Sequence, residues 1–140
     1  NNARWTYASV RRFAWQNPMG NHNGGGSFNS GAAILGEFFE DKFFTDGYAM
    51  LDAAVRAARG DAEVIARIDF LRKGLKEAEL TRTVRIRQKA AKAAPGDARR
   101  KAAFLAAFKE LKAYRAAVQG DFIACFDRNA GYEKNMGWPH

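Results

Sequence analysis

The stretch from Asp61 to Ala94 constrains this chain most, because it runs without a proline and is bounded by Gly60 on one side and Pro95-Gly96 on the other. Asp61 is a ready N-cap, Glu63 falls in the first turn, and Lys and Arg crowd the last turns, all as the helix dipole favours. At 1.5 Å per residue such a helix reaches roughly 50 Å, so whatever the domain is, this element is its spine. Advancing 100° per residue places Val64, Ile68, Leu71, Leu75, Ala78, Ile86 and Ala93 on one face. Phe70, Leu80 and Val84 fall on the other side. A helix apolar on two faces packs against neighbours on both, or against something outside the chain.

The flanks follow the same grammar. Ser30 can cap a helix whose apolar positions Ile34, Leu35, Phe38, Phe39 and Phe43 recur every three to four residues. Thr45 or Asp46 can cap a further helix through Tyr48, Leu51, Val55 and Ala58, stopped by Gly60 in a left-handed conformation. Asp97 caps a last long helix with Phe104, Phe108, Leu111 and Val118 in register, closed by Gly120. Asn1 to Gln16 is only loosely helical, Asn17 to Gly31 is a Gly/Asn-rich loop, and the tail after Gly120 has aromatic anchors without a sustained period. Nothing alternates long enough to read as a strand. The expected fold is all-α, an antiparallel helical bundle with a spine at about 61–94 and a Gly/Asn-rich loop near the N-terminus, forming a single helical domain over 1–140. The chain begins at Asn1, so a fragment or C-terminal module of a larger protein is expected.

Composition narrows the function classes. One cysteine excludes an internal disulfide, and one cysteine with two histidines cannot fill a tetrahedral zinc site unaided. No apolar run is long enough to span a bilayer. No cofactor, metal or membrane partner is expected. The net charge of +8 suggests a nucleic-acid or other polyanion partner, but its location weakens that reading. Eleven basic and three acidic residues lie between Arg72 and Lys101, whereas the rest of the chain carries twelve of each. Within that segment Lys73, Lys76 and Arg87 point one way and Arg85, Lys89 and Lys92 another, so no single basic stripe tracks a phosphate backbone. A solvated helix surface is the simplest reading, a basic module binding nucleic acid or an anionic polysaccharide is the alternative, and nucleic acid is not the expected partner.

The chemistry-bearing candidates are few. GNHNGGGS lacks the Lys-Ser/Thr pair of a Walker loop and follows no strand. It does hold Asn17, Asn21, His22 and Asn23 close to Trp15, and amides, a neutral imidazole and a flat aromatic face are what recognise sugar hydroxyls and a sugar's C–H face. Arg82, in register between Ala78 and Ile86, would sit at the core and need a carboxylate, such as Glu79, or a ligand to offset its desolvation. Cys125, between Ala124 and Phe126, reads as buried and inert. Glu37, Glu40 and Asp41 cluster on one helix but read as its solvent side. No catalytic residue is assigned.

The segment FFTDGYAMLDAAVRAARGDAEVIARIDFLRKGLKEAEL, followed by FLAAFKELKAYR and a tail ending EKNMGWP, resembles the C-terminal helical region of large bacterial, uncharacterised, α-glucuronidase-like glycoside hydrolases. Arg67, Phe70, Leu71, Arg72, Gly74, Leu75, Ala78, Glu79 and Leu80 carry the resemblance, which covers roughly Phe43 to Trp138. It implies that the chain is a non-catalytic accessory domain following a (β/α)₈ catalytic barrel, that the barrel is its partner and holds the catalytic carboxylates, and that the Gly/Asn loop contributes to polysaccharide binding. It also implies a secreted or periplasmic location.

Overall fold

The structure is a computed structural model, and it describes residues 39–121, 133–134 and 137–139. The all-α expectation holds among them: three helices and a 3₁₀ turn, with no strand. Helix α1 spans Asp41–Ala57, α2 Ala62–Ala93 and α3 Ala98–Ala117, and the 3₁₀ turn is Gln119–Asp121. The Ser30-capped helix start, the Gly/Asn loop and Cys125 lie outside the described residues.

Two aspartates start the longer helices. Asp61 accepts from the backbone N–H groups of Glu63 and Val64, and Asp97 from those of Arg99 and Arg100. Each cap satisfies two amides that would otherwise lack a partner, worth about 1 kcal/mol. Gly60 takes φ 87°, and Arg59 before it also adopts a positive φ of 49°, which turns the chain tightly from α1 into α2. The second turn closes with the Asp97 amide donating to the Ala94 carbonyl across 3.0 Å.

The break expected at Thr45-Asp46 does not occur, since α1 runs through both residues from an N-cap at Glu40. Neither side chain is free to cap. Thr45 Oγ1 donates back to the Asp41 carbonyl at 3.2 Å, and Asp46 takes the Lys42 ammonium at 2.8 Å, one turn earlier. An i,i+4 ion pair and a back-bonded threonine suit a helix interior, and they override a local signal that reads only residue type.

Helix α2 lies between the other two. Pairings of Asp52 with Arg72, Tyr48 with Glu79 and Asp41 with Arg82 run in opposite senses along α1 and α2, and Tyr114 with Lys73, Arg115 with Glu77 and Arg100 with Ala90 do so along α3 and α2. Both neighbours are therefore antiparallel to α2. The two-faced apolar pattern has its explanation here, because α1 and α3 occupy opposite faces. The deeper packing falls on the smaller of the two apolar sets. Val64, Leu71 and Ile86 of the larger apolar set stay exposed, and the deepest packing joins Leu80 and Val84 to Phe104, Ala107, Phe108 and Leu111, with Trp138 closing the cluster. The reason lies in the partners: α3 buries Phe104, Ala107, Phe108 and Leu111 in register, whereas Phe44 is the single buried residue of α1.

Candidate functional site

The stripe Phe104, Phe108, Leu111 of α3 continues at the next turn not with an apolar residue but with Arg115, whose side chain is only 4% exposed. The cation is neutralised from two directions. Its Nε and Nη2 donate to Glu77 Oε1 at 2.9 and 2.6 Å, and its Nη1 donates to Glu133 Oε1 at 2.5 Å. Thr81, one turn along α2 from Glu77, donates its hydroxyl to the same Glu77 oxygen at 3.1 Å. Both carboxylates are thus engaged by one guanidinium, an arrangement that ties the C-terminal segment to the α2–α3 pair.

That segment has a second anchor. Trp138 packs edge-on against Phe108 with ring centroids 5.6 Å apart, and its indole Nε1 donates to Gln88 Oε1 at 3.2 Å. The same oxygen accepts from Arg85 Nη1 at 2.8 Å. Burial lowers the pKa of the Arg85 guanidinium from its ordinary value.

Between α1 and α2, Arg82 occupies the near-core position that its register predicts, but its partner is not Glu79. The guanidinium, with 15% of its side chain exposed, pairs with Asp41 Oδ1 at 2.6 Å and stands 5.8 Å from the Phe44 ring centre. Asp41 belongs to the first turn of α1, a position that no spacing within α2 could reveal. Glu79 is engaged elsewhere, accepting from Tyr48 and from Lys76, both at 2.9 Å. Burial first, then the hydrogen bond to Glu79 and its charge, raise the Tyr48 pKa. Asp41, read as a solvent-side acid, does point to solvent yet supplies the counter-charge for a largely covered arginine.

At the far end of the α2–α3 pair the basic residues converge. Arg87 and Ala90 of α2 and Arg99, Arg100 and Ala103 of α3 line an open cleft of about 230 Å³. Arg100 is positioned, its Nε 3.1 Å from Asp97 Oδ2 and its Nη1 3.5 Å from the Ala90 carbonyl. Arg87 and Arg99 have no carboxylate partner among the described residues. The first turn of α3 contains no acidic residue, although the N-terminal end of a helix is already partially positive. Three basic side chains in succession, Arg99, Arg100 and Lys101, intensify that potential.

Trp15, Asn17, Asn21, His22 and Asn23 lie outside the described residues, so of the proposed binding residues the structure places only Arg82, and it places it in an ion pair. Sequence reasoning missed the Arg115–Glu77–Glu133 network and did not group Arg87 with Arg99 and Arg100. A signal existed for the first: Arg115 falls one turn after Leu111 in the apolar register of α3, the same signature that marked Arg82. The second needs the turn geometry that brings residue 87 beside residue 100.

Among the described residues no group of three His, Cys, Asp or Glu side chains could hold a metal ion, and no helix is long and apolar enough to cross a membrane. No protein-family model, curated protein or solved structure matches the chain.

Proposed function

We propose that the chain is a non-catalytic helical accessory domain of a carbohydrate-active, glycoside-hydrolase-like protein, an antiparallel bundle built along α2 as its spine and packed against a catalytic domain. The observation that carries the reading is the state of the amino-terminal third of α2. There Val64, Phe70 and Leu71 are 37, 50 and 59% exposed. Val64 and Leu71 flank the buried Ile68 on the side of α1, and Phe70 lies on the side of α3, where α3 and the following 3₁₀ turn come to an end. Apolar side chains of this size on two faces of one helix end are the kind of surface a neighbouring domain covers. The resemblance of residues 67–80 to helical regions that follow catalytic barrels supplies the kind of neighbour, and the Gly/Asn loop, with Trp15, Asn17, Asn21, His22 and Asn23, is the part offered to polysaccharide.

Expression of the complete gene product tests the reading. It predicts a catalytic domain in the same polypeptide that cleaves aryl glycosides or polysaccharide, and a fall in that domain's thermal midpoint when Phe70→Glu and Leu71→Glu are introduced together. A gene product without such a domain, or one indifferent to both substitutions, overturns it.

A further inference from the structure

The geometry points to a self-association surface: two copies of this chain pair through α1 and α2, with the Met50 side chain of each seated against Gly74 of the other. The inference goes beyond the accessory-domain reading and shares with its surface only Leu71, which borders both.

Tyr48 and Asp52 of α1 meet Glu79 and Arg72 of α2 along one edge of the contact between the two helices. At 100° per residue, Phe43 and Met50 project from the other edge of α1, and Leu71, Gly74 and Ala78 from the same edge of α2. That edge is uncovered, since Phe43, Met50 and Leu71 are 46, 73 and 59% exposed. Asp52 pairs with Arg72, and a Cβ at Gly47 would lie 2.9 Å from Leu75, so Met50 stands level with Gly74 along the helix axes. Leu71, Gly74, Leu75 and Ala78 occupy the i, i+3, i+4 and i+7 positions of a hole that accepts one side chain from a facing helix. A Cβ at Gly74 meets no atom within 4 Å, so the hole is open. A chain with a knob and a hole side by side at one level is complementary to itself. Rotation by 180° about an axis parallel to the helices sets each α1 over the α2 of the other copy, places Met50 over Gly74 twice, and makes an antiparallel four-helix bundle.

Charge and area select a second copy as the occupant. A net charge of +8 makes two such chains repel, so they meet only on a face where that excess is missing. On this face Lys42 and Asp46, beside Phe43 and Met50, neutralise each other, and Leu71, Gly74 and Ala78 are uncharged. Phe43, Met50 and Leu71 together expose roughly 350 Å² of apolar surface. That is the greater part of the roughly 450 Å² of apolar surface in a standard interface of about 800 Å² per partner.

Sedimentation equilibrium of the full 140-residue chain tests this. The expected result is a monomer–dimer equilibrium with a dissociation constant of about 10 μM. Met50→Glu, which puts a charge on the knob, and Gly74→Leu, which fills the hole, each weaken association by about 30-fold or more and leave the far-ultraviolet circular dichroism unchanged. Met50→Ala combined with Gly74→Leu exchanges the sizes of knob and hole and restores most of the association. Phe70→Glu, on the side of α3, leaves the dimer intact, so the result is separate from the surface assigned to a catalytic domain. A chain that stays monomeric up to roughly 200 μM, a dimer that survives Met50→Glu, a double variant that associates no better than Gly74→Leu alone, or equal loss with Phe70→Glu overturns the proposal.

Discussion

Arg115 on α3 and Glu133 in the C-terminal segment form a buried ion pair, Nη1 to Oε1 at 2.5 Å, with the two side chains 4 and 6% exposed. The same guanidinium holds Glu77 of α2 at 2.6 Å, so one cation joins three separate parts of the chain. Removing it takes from Glu77 and Glu133 the guanidinium that offsets their burial, which costs far more than the net contribution of the intact cluster.

Arg115→Ala is therefore expected to lower unfolding free energy by about 3–5 kcal/mol, measured by urea denaturation at neutral pH. Replacing the whole cluster, with Arg115→Met, Glu77→Gln and Glu133→Gln together, recovers a large part of that loss, because no uncompensated charge remains. Equal instability of the single and triple variants would show that the cluster contributes through packing alone.

Trp138 offers a graded test of the second anchor. Trp138→Ala removes the edge contact with Phe108 and the indole hydrogen bond to Gln88, and is expected to cost about 3 kcal/mol. Trp138→Phe keeps an aromatic ring against Phe108 and loses only the N–H donor and part of the area, for about 1 kcal/mol. Urea midpoints for the two variants should rank in that order.

Two helix-interior glycines are expected to respond with opposite sign. A Cβ at Gly74 meets no atom within 4 Å, so Gly74→Ala should stabilise by about 0.5–1 kcal/mol through helix propensity and a less flexible unfolded chain. A Cβ at Gly47 would lie 2.9 Å from Leu75 Cδ2, at the close approach of α1 to α2. Gly47→Ala should lower the thermal midpoint, unless Leu75 is shortened to Val in the same chain.

Alkaline pH should weaken the fold. Burial raises the pKa of both Tyr48 and Tyr114 above its ordinary value, with Glu79 adding to the effect at Tyr48, and the hydrogen bond to Asp121 raises that of Lys73. Unfolded tyrosines ionise near 10, so above that pH the unfolded chain holds fewer protons than the folded one and stability falls. Below it these groups hold their protons in both states and their contribution is fully present. Urea midpoints at pH 8 and 11 should show the decline, and Tyr48→Phe should reduce it.

Much of the fold was legible in local chemistry. Asp61 and Asp97 are caps because an aspartate before a helical run accepts the first free amides, and Gly60 and Pro95-Gly96 end helices for reasons internal to the backbone. Phe104, Phe108, Leu111 and Val118 share one face by spacing alone, and all four are buried. The error at Thr45-Asp46 has the same origin as these successes: residue type marks a possible cap, but a competing Lys42 one turn earlier decides whether the side chain is available.

The sequence by itself determined the extents of α2 and α3, where both are capped, that α2 has two apolar faces, and that Arg82 sits among apolar residues. Only the tertiary structure decided which face of α2 carries the core, that Asp41 and not Glu79 answers Arg82, that Arg115 draws Glu77 and Glu133 together, and that Arg87 meets Arg99 and Arg100 at one cleft. The division follows from range. Periodicity and capping depend on neighbours within four residues, whereas a counterion, a core face or a shared cleft depends on which helix arrives across the interface, and side chains separated by 12 to 41 positions meet only after the chain has turned back on itself.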